Sequence, residues 1–418
     1  MGSDFKILKA ARLIDGSGGP VQERAAILLE GDTIRQVGTE ETVAAPEGAS
    51  VEEVDYGDKT ILPGLIDSHV HLIGIGDGRA GDELTTLDDE ILTLQAARNA
   101  RAHLYSGVTT VRDCGAKNRT TFLLRNAVEM GITPAPRLLL AGRPMAIVGG
   151  HLSYFGIQAT GPDECRAGVR QLVKEGADFI KITATGGSTR TSHALRPSFN
   201  VDELSAICDE AHKFGIHAAA HCASSQGMIN ALEAGVDTII HGMHKEADGT
   251  STYRPEISSR IARTGVFLNA TLAGARVRIE MLEDKMESDG LTNQEDVQLD
   301  YMMAEYETRL EHFLRMREAG VVMVAGSDSA WGNYPMGDHQ TEIETHVIGG
   351  MAPMEAIVAT TMDAARSCWI DDRVGTLEEG KLADILVVDG NPVDRIEDLR
   401  NIADVYQSGE AVNRGDFV

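Results

Sequence analysis

Between residues 60 and 330, short apolar runs alternate with longer stretches whose apolar positions recur every three or four residues. The first texture is that of buried strands, the second that of helices packed against them. The strand runs lie at 61–69, 108–113, 137–141, 179–184, 217–221, 238–241, 266–270 and 321–327. Helical stretches fall between them at 92–105, 120–130, 163–175, 201–214, 225–234 and 255–263. Eight strands alternating with helices over this length predict an α/β fold, a (β/α)8 TIM barrel, with a doubly wound sheet as the alternative. The barrel is preferred because the candidate functional residues fall at the C-terminal ends of several different strands.

The flanks have another pattern. Residues 4–59 read as short strands with glycine turns at Gly16–Gly19 and at Gly31-Asp32. Residues 385–389 and 402–412 read as further strands that complete the same sheet. The expected organisation is a discontinuous β-sandwich, residues 1–59 and 371–418, with the barrel at 60–370 inserted into it. The segment 272–320 is longer than one connection needs. A helix is expected over 305–318, and the acidic stretch 280–300 reads as an exposed loop, with a lid as the alternative. Two more helices are expected at 339–348 and 353–367.

Composition narrows the partners. A net charge of −26 argues against nucleic acid and anionic membrane surfaces. Five cysteines without a framework spacing predict free thiols in a reducing, cytoplasmic compartment. There is no basic region followed by an apolar core at the N-terminus and no run of about 18 apolar residues, so neither a signal peptide nor a membrane span is expected. A small-molecule substrate is the expected partner, and self-association into a homo-oligomer is compatible with the composition.

The chemistry collects at strand ends. The run LPGLIDSHVHL, residues 62–72, carries His69 and His71 at a spacing of two, which puts both imidazoles on one face of a strand. Lys181 lies in FIKITATGG, His221 closes IHAAAH, His241 closes TIIH, and Asp328 lies in VAGSDSA. Imidazole nitrogen and carboxylate oxygen suit zinc, manganese or cobalt. Four histidines and an aspartate exceed the needs of one tetrahedral catalytic ion, so two divalent ions are expected. Lys181 fits among cations only if its amine has been converted to an anionic oxygen ligand. Each of these residues also has a plain structural reading: a solvated lysine, core histidines, a turn aspartate. Their recurrence at successive strand ends favours the metal site.

Further candidates line the expected cleft. His151 and Tyr154 lie in VGGHLSY, Arg190 and His193 in the loop after the lysine strand, and Trp331 just beyond Asp328.

Together, LPGLIDSHVH, IKITATGG, His221, IIHG, GSD and the tail GTLEEGKLADILVVDGNP resemble the amidohydrolase superfamily over essentially the whole chain. The likeness is greatest to the binuclear branch of prolidase-like, dipeptidase and amidase members that carry a lysine on the fourth strand. The resemblance implies that His69, His71 and Asp328 hold one ion, that His221 and His241 hold the other, and that a carboxylated Lys181 bridges both. It implies a catalytic Asp328 that passes a proton from water to the leaving group, and substrate contact by His151. The expected reaction is attack of a metal-bridging hydroxide on a dipeptide, N-acyl amino acid, carbamate or urea. One departure stands out: Ala223 occupies the position where prolidase-like members carry a carboxylate-binding tyrosine. Two alternatives remain. One is a mononuclear deaminase or cyclic-imidazolone hydrolase, against which HCAS at 221–224 speaks because it lacks that group's His-x-x-Glu. The other is a metal-free interaction protein on the same fold.

Overall fold

The apolar run 61–69 forms two strands rather than one. In a computed structural model of the chain, which describes residues 5–415, Thr60–Pro63 pairs antiparallel with Ile385–Val388, Ile61 opposite Val387. Leu65–Val70 pairs parallel with Val108–Asp113. Gly64 joins them. The run is apolar from Ile61 to Ile66 because its halves are buried in two different sheets.

Eight parallel segments close the barrel. Val108–Asp113 pairs with Arg137–Leu140, and the Asp178 N–H donates to the Leu140 carbonyl at 2.9 Å, leading into Ile180–Ile182. Ala218–His221, Thr238–Ile240 and Phe267–Asn269 follow in parallel register. The last segment, expected as a full strand at 321–327, makes only isolated bridges, Leu268 to Met323 and Val70 to Ser329. Hydrogen bonds still carry it across the gap. Val324 N–H donates to Leu268 O at 2.8 Å, Ser68 N–H to Ala325 O at 3.1 Å, and Asp328 N–H to His69 O at 2.8 Å. Two further short strands, Met145–Ala146 and Ile157–Gln158, were not legible as such.

The flanking sheet draws on both ends of the chain. Its path runs Glu410–Ala411, Ile402–Gln407, Ile385–Val388, Thr60–Pro63, Phe5–Leu13, Gln22–Glu30, Thr33–Thr39, with Val51–Asp55 alongside Phe5–Leu13. Its own apolar core includes Leu8, Ile27, Ile61, Ile385 and Tyr406. A larger core lies between the barrel strands and their helices.

The acidic stretch 280–300 is not an exposed loop. It belongs to a helical hairpin, Ala273–Ser288 and Asn293–Glu318. The second helix starts at a capping box, in which Thr292 accepts the Glu295 N–H and Glu295 accepts the Thr292 N–H. Between its two helices the hairpin buries only a thin seam, Ile279, Leu282 and Leu299, and Phe313 and Met316 join the barrel core only near its end, so the apolar periodicity before residue 305 is faint. The stretch 353–367 divides into Pro353–Ala359 and Met362–Ser367. Among the described residues no helix is long and apolar enough to cross a membrane, and the five cysteines are free and buried.

Candidate active site

The C-terminal ends of the barrel strands open into a cleft of about 640 Å3, within the usual range for a small-molecule site. His69, His71, Lys181, His221, His241 and Asp328 all line it. Ring centroids lie 5.4 Å apart for His69 and His71, 5.7 Å for His69 and His241, and 4.4 Å for His221 and His241. Two of these residues have left-handed backbone, His241 with φ 68° and Asp328 with φ 55°. Non-glycine residues adopt this conformation at a cost, and such strain concentrates at functional sites. Here it turns each side chain inward as its strand ends.

The hydrogen bonds decide which nitrogen of each imidazole carries the proton. Asn269 Nδ2 donates to the carbonyls of Val324 and Gly326, at 3.0 and 3.1 Å, which turns its Oδ1 toward His69 Nδ1 at 3.3 Å. That nitrogen must donate. His71 Nδ1 faces the Gly115 carbonyl at 3.0 Å and must donate too. The Thr271 hydroxyl has one proton and gives it to the Ala270 carbonyl at 2.8 Å. It therefore accepts from His241 Nδ1 at 2.7 Å. These three histidines are left with a bare Nε2. His221 takes the opposite tautomer: its Nε2 donates to the Gly186 carbonyl at 2.9 Å, leaving Nδ1 bare. A carbonyl can only accept, so neither His71 nor His221 can exchange roles.

Electrostatics keep the rings neutral. Burial, then the Lys181 ammonium, pushes His71 down to about 3. Burial likewise lowers His69, His221 and His241 below the ordinary imidazole value. Neutral imidazole is the metal-binding form. Asp328 Oδ1 lies 3.5 Å from His69 Nε2 and 3.7 Å from His71 Nε2. Burial pushes this carboxyl up to about 7, against the opposing pull of Lys181. Lys181 is buried, its Nζ 3.2 Å from His69 Nε2, and burial lowers its amine. The ligand atoms of His69, His71 and Asp328 all lie within 4.8 Å of one another. Bare imidazole nitrogens beside a carboxylate are a donor set that fits a zinc-like ion.

Below this cluster sits a buried carboxylate. Asp67 accepts from the Ser327 N–H at 2.9 Å and the His69 N–H at 3.1 Å. His103 Nδ1 accepts the Gly337 N–H at 2.8 Å, so its Nε2 carries the proton toward Asp67 Oδ2 at 3.0 Å. His339 Nδ1 lies 3.2 Å from the same oxygen. Asp67 thus ties the first strand, the last segment and two helices together directly behind the histidines. No pattern along the chain hinted that His103 and His339 meet.

The remaining candidates divide. His151 is buried, its ring 4.6 Å from that of His221. A Cβ on Gly187 would come within 2.6 Å of that ring, so only glycine lets the imidazole lie against this backbone. Tyr154, Arg190 and Trp331 line the cleft, Trp331 with its ring 5.0 Å from that of His71. His193 does not line it: the side chain is exposed, and only the His193 carbonyl packs inward, against Gly186. The loop turns back at that point, with the Arg196 N–H on the His193 carbonyl at 3.1 Å. Sequence reasoning missed Asn269 and Thr271, which orient His69 and His241, and Arg278, which lines the cleft from the helical hairpin. A polar Asn269 closing an apolar strand was a usable signal; nothing marked Arg278.

The amidohydrolase family model matches residues 60–412. Ochratoxinase of Aspergillus niger is 25% identical over 435 aligned positions, covering 97% of this chain and 84% of that protein. Its crystal structure superimposes with a TM-score of 0.82, at 23% identity over 98% of this chain and 96% of that one, which speaks to the fold. A Xaa-Pro dipeptidase structure with methionine bound in its active site gives a TM-score of 0.83, at 29% identity over 98% of this chain and 99% of that one. With the barrel, the flanking sheet and the strand-end cluster in place, the chain belongs to the amidohydrolase family and is a hydrolase acting on C–N bonds.

Proposed function

We propose that the chain is a binuclear metal-dependent amidohydrolase that cleaves an amide-type C–N bond in a dipeptide, N-acyl amino acid, carbamate or urea. The observation that carries this reading is the set of locked tautomers. Three bare Nε2 atoms and one bare Nδ1 belong to four neutral rings around one cleft, a wasteful arrangement for a core and a useful one for ions.

His69, His71 and Asp328 would hold one ion, His221 and His241 the other, with a carboxylated Lys181 between them. Zinc suits the donors best, and manganese or cobalt is compatible. Divalent ions here would supply Lewis acidity, making water nucleophilic near neutral pH and polarising the scissile carbonyl. Asp328 does the proton work. Its carboxylate, 3.5 Å from His69 Nε2 and 3.7 Å from His71 Nε2, lies among the ligand atoms and would take a proton from the attacking water and return it to the departing nitrogen. His151, buried against His221, is placed to hold a substrate oxygen, and Trp331 and Tyr154 to pack on the substrate's apolar part. We place the boundary between sandwich and barrel at Gly64, where the strand pairing changes sheet.

The mononuclear alternative has less support, because Lys181 and His221 are both buried in the cluster. The reading is tested by assaying the metal-loaded enzyme on dipeptides, N-acyl amino acids, aryl carbamates and aryl ureas, alongside Asp328→Asn. One class should be hydrolysed by the wild type, with a loss of about 10²–10⁴ in kcat in the variant. Undiminished hydrolysis by Asp328→Asn would remove Asp328 from the chemistry.

A further inference from the structure

The wall of the cleft has two unlike halves. After the eighth and third barrel segments it is aromatic and apolar, with Trp331, Tyr154 and Leu152. Gly81 packs against both the Tyr154 hydroxyl and the Trp331 ring, so these two side chains form one continuous surface. After the fourth, sixth and seventh segments the wall is cationic, with Arg190, Lys245 and Arg278.

This charge is out of character for the molecule. The chain carries a net −26. At the mouth, leaving aside Lys181 and Asp328 in the centre, Arg79, Arg190, Lys245 and Arg278 face the single acid Asp82. Two of these cations are already neutralised, Arg79 by Asp77 at 2.9 Å and Lys245 by Glu305 at 2.9 Å. Arg190 and Arg278 have no ion pair among the described residues. They reach the cleft from different elements, the loop after Ile180–Ile182 and the helix Ala273–Ser288.

We infer that Arg190 and Arg278 form a subsite for a substrate carboxylate, opposite an aromatic subsite at Trp331 and Tyr154. The substrate is then an N-acyl amino acid or dipeptide with a free carboxylate at one end and a flat apolar group at the other. Guanidinium groups suit this task, because their fixed N–H fork matches the two oxygens of a carboxylate. The subsite also answers the departure at position 223. The Ala223 side chain lines the cleft with no polar atom, so a carboxylate bound here would be held by other residues of the wall. Neutral carbamates and ureas would leave both arginines unused. This inference rests on the proposed C–N hydrolase reading for its reaction, but not for its binding.

The test therefore has a kinetic arm and a binding arm. In the first, the metal-loaded enzyme is assayed on N-benzoyl amino acids and on the same compounds with the carboxylate converted to carboxamide. The wild type should prefer the free acid by about tenfold or more in kcat/KM, mainly through KM. Arg190→Met with Arg278→Met should bring the ratio of acid to carboxamide close to one, and Arg278→Lys should restore part of it. In the second arm, N-benzoylglycine and its carboxamide are titrated by calorimetry into metal-loaded Asp328→Asn and into the same protein with both arginine changes. The acid should bind more tightly only while the arginines are present.

The outcomes separate the two claims. Equal treatment of acid and carboxamide, or a preference that survives the double change, overturns the carboxylate subsite and leaves the C–N hydrolase standing. Failure to hydrolyse any substrate of the panel, with acid-selective binding intact, removes the proposed reaction and leaves the subsite standing. Both arginines are exposed, so the variants are expected to fold as the wild type does.

Discussion

The Thr271 hydroxyl accepts the Nδ1–H of His241 across 2.7 Å and gives its own proton to the Ala270 carbonyl. Behind it, Arg309 Nη2 donates to the same Ala270 carbonyl at 2.6 Å and to the Thr271 carbonyl at 3.2 Å. Arg309 comes from the long helix Asn293–Glu318 and clamps a residue whose φ is 49°. Orientation of a proposed ligand therefore depends on a helix far from it in sequence. Thr271→Val keeps the shape and removes the acceptor. It should weaken binding of the second ion by about 10–100-fold, measured by chelator competition, while Thr271→Ser stays close to wild type. Equal affinity in all three proteins would separate the hydroxyl from the metal.

Lys181 gives a second expectation. Lys181→Ala should lower the content of both metals, and added short carboxylic acids should restore part of the content and activity. Burial lowers the amine's proton affinity, which favours the neutral form that can take up carbon dioxide. Normal metal content in the variant would rule out a bridging role.

The Asp67–His339 pair predicts a pH-dependent stability. Burial alone would raise the Asp67 carboxyl, but the His339 and His103 imidazoles more than reverse this and hold it below the usual carboxylate range. Burial alone would lower His339, and Asp67 raises it above the ordinary value instead. A depressed carboxyl contributes stability above its unfolded value, about 3.9, and loses it as pH falls; a raised imidazole contributes fully below about 6.5 and loses it as pH rises through its folded value. The pair therefore contributes most between these limits. His339→Gln should cost about 3–5 kcal/mol in denaturant unfolding near pH 5–6. The deficit should narrow at more acid and more alkaline pH. A deficit independent of pH would mean that His339 acts through packing alone.

Much of this was legible in the chain. Strand ends that carry a histidine, lysine or aspartate stood out because a polar residue closing a buried run has few other uses, and all six of those residues meet in one cleft. The flanking sheet was legible from its turns. The division of the first apolar run at Gly64 was hidden, since residues buried in either sheet look alike. Of the helical hairpin only the end was legible, over 305–318, where Phe313 and Met316 pack on the barrel core; 273–300 was hidden for the opposite reason, since too little of it is buried to print a periodicity. The partners that fix the tautomers were hardest to see. Two are backbone carbonyls, at Gly115 and Gly186, and no side-chain pattern announces a carbonyl. His193 misled because its neighbours line the cleft while the loop turns it outward.

In the proposed enzyme these locked histidines serve two ions acting together. Metal content per chain, followed by atomic spectroscopy while ions are titrated into metal-free enzyme and hydrolysis is assayed in parallel, tests it most directly. Activity should reach its maximum only as occupancy approaches two ions per chain. Full activity at one ion per chain, with no gain from a second, would contradict it.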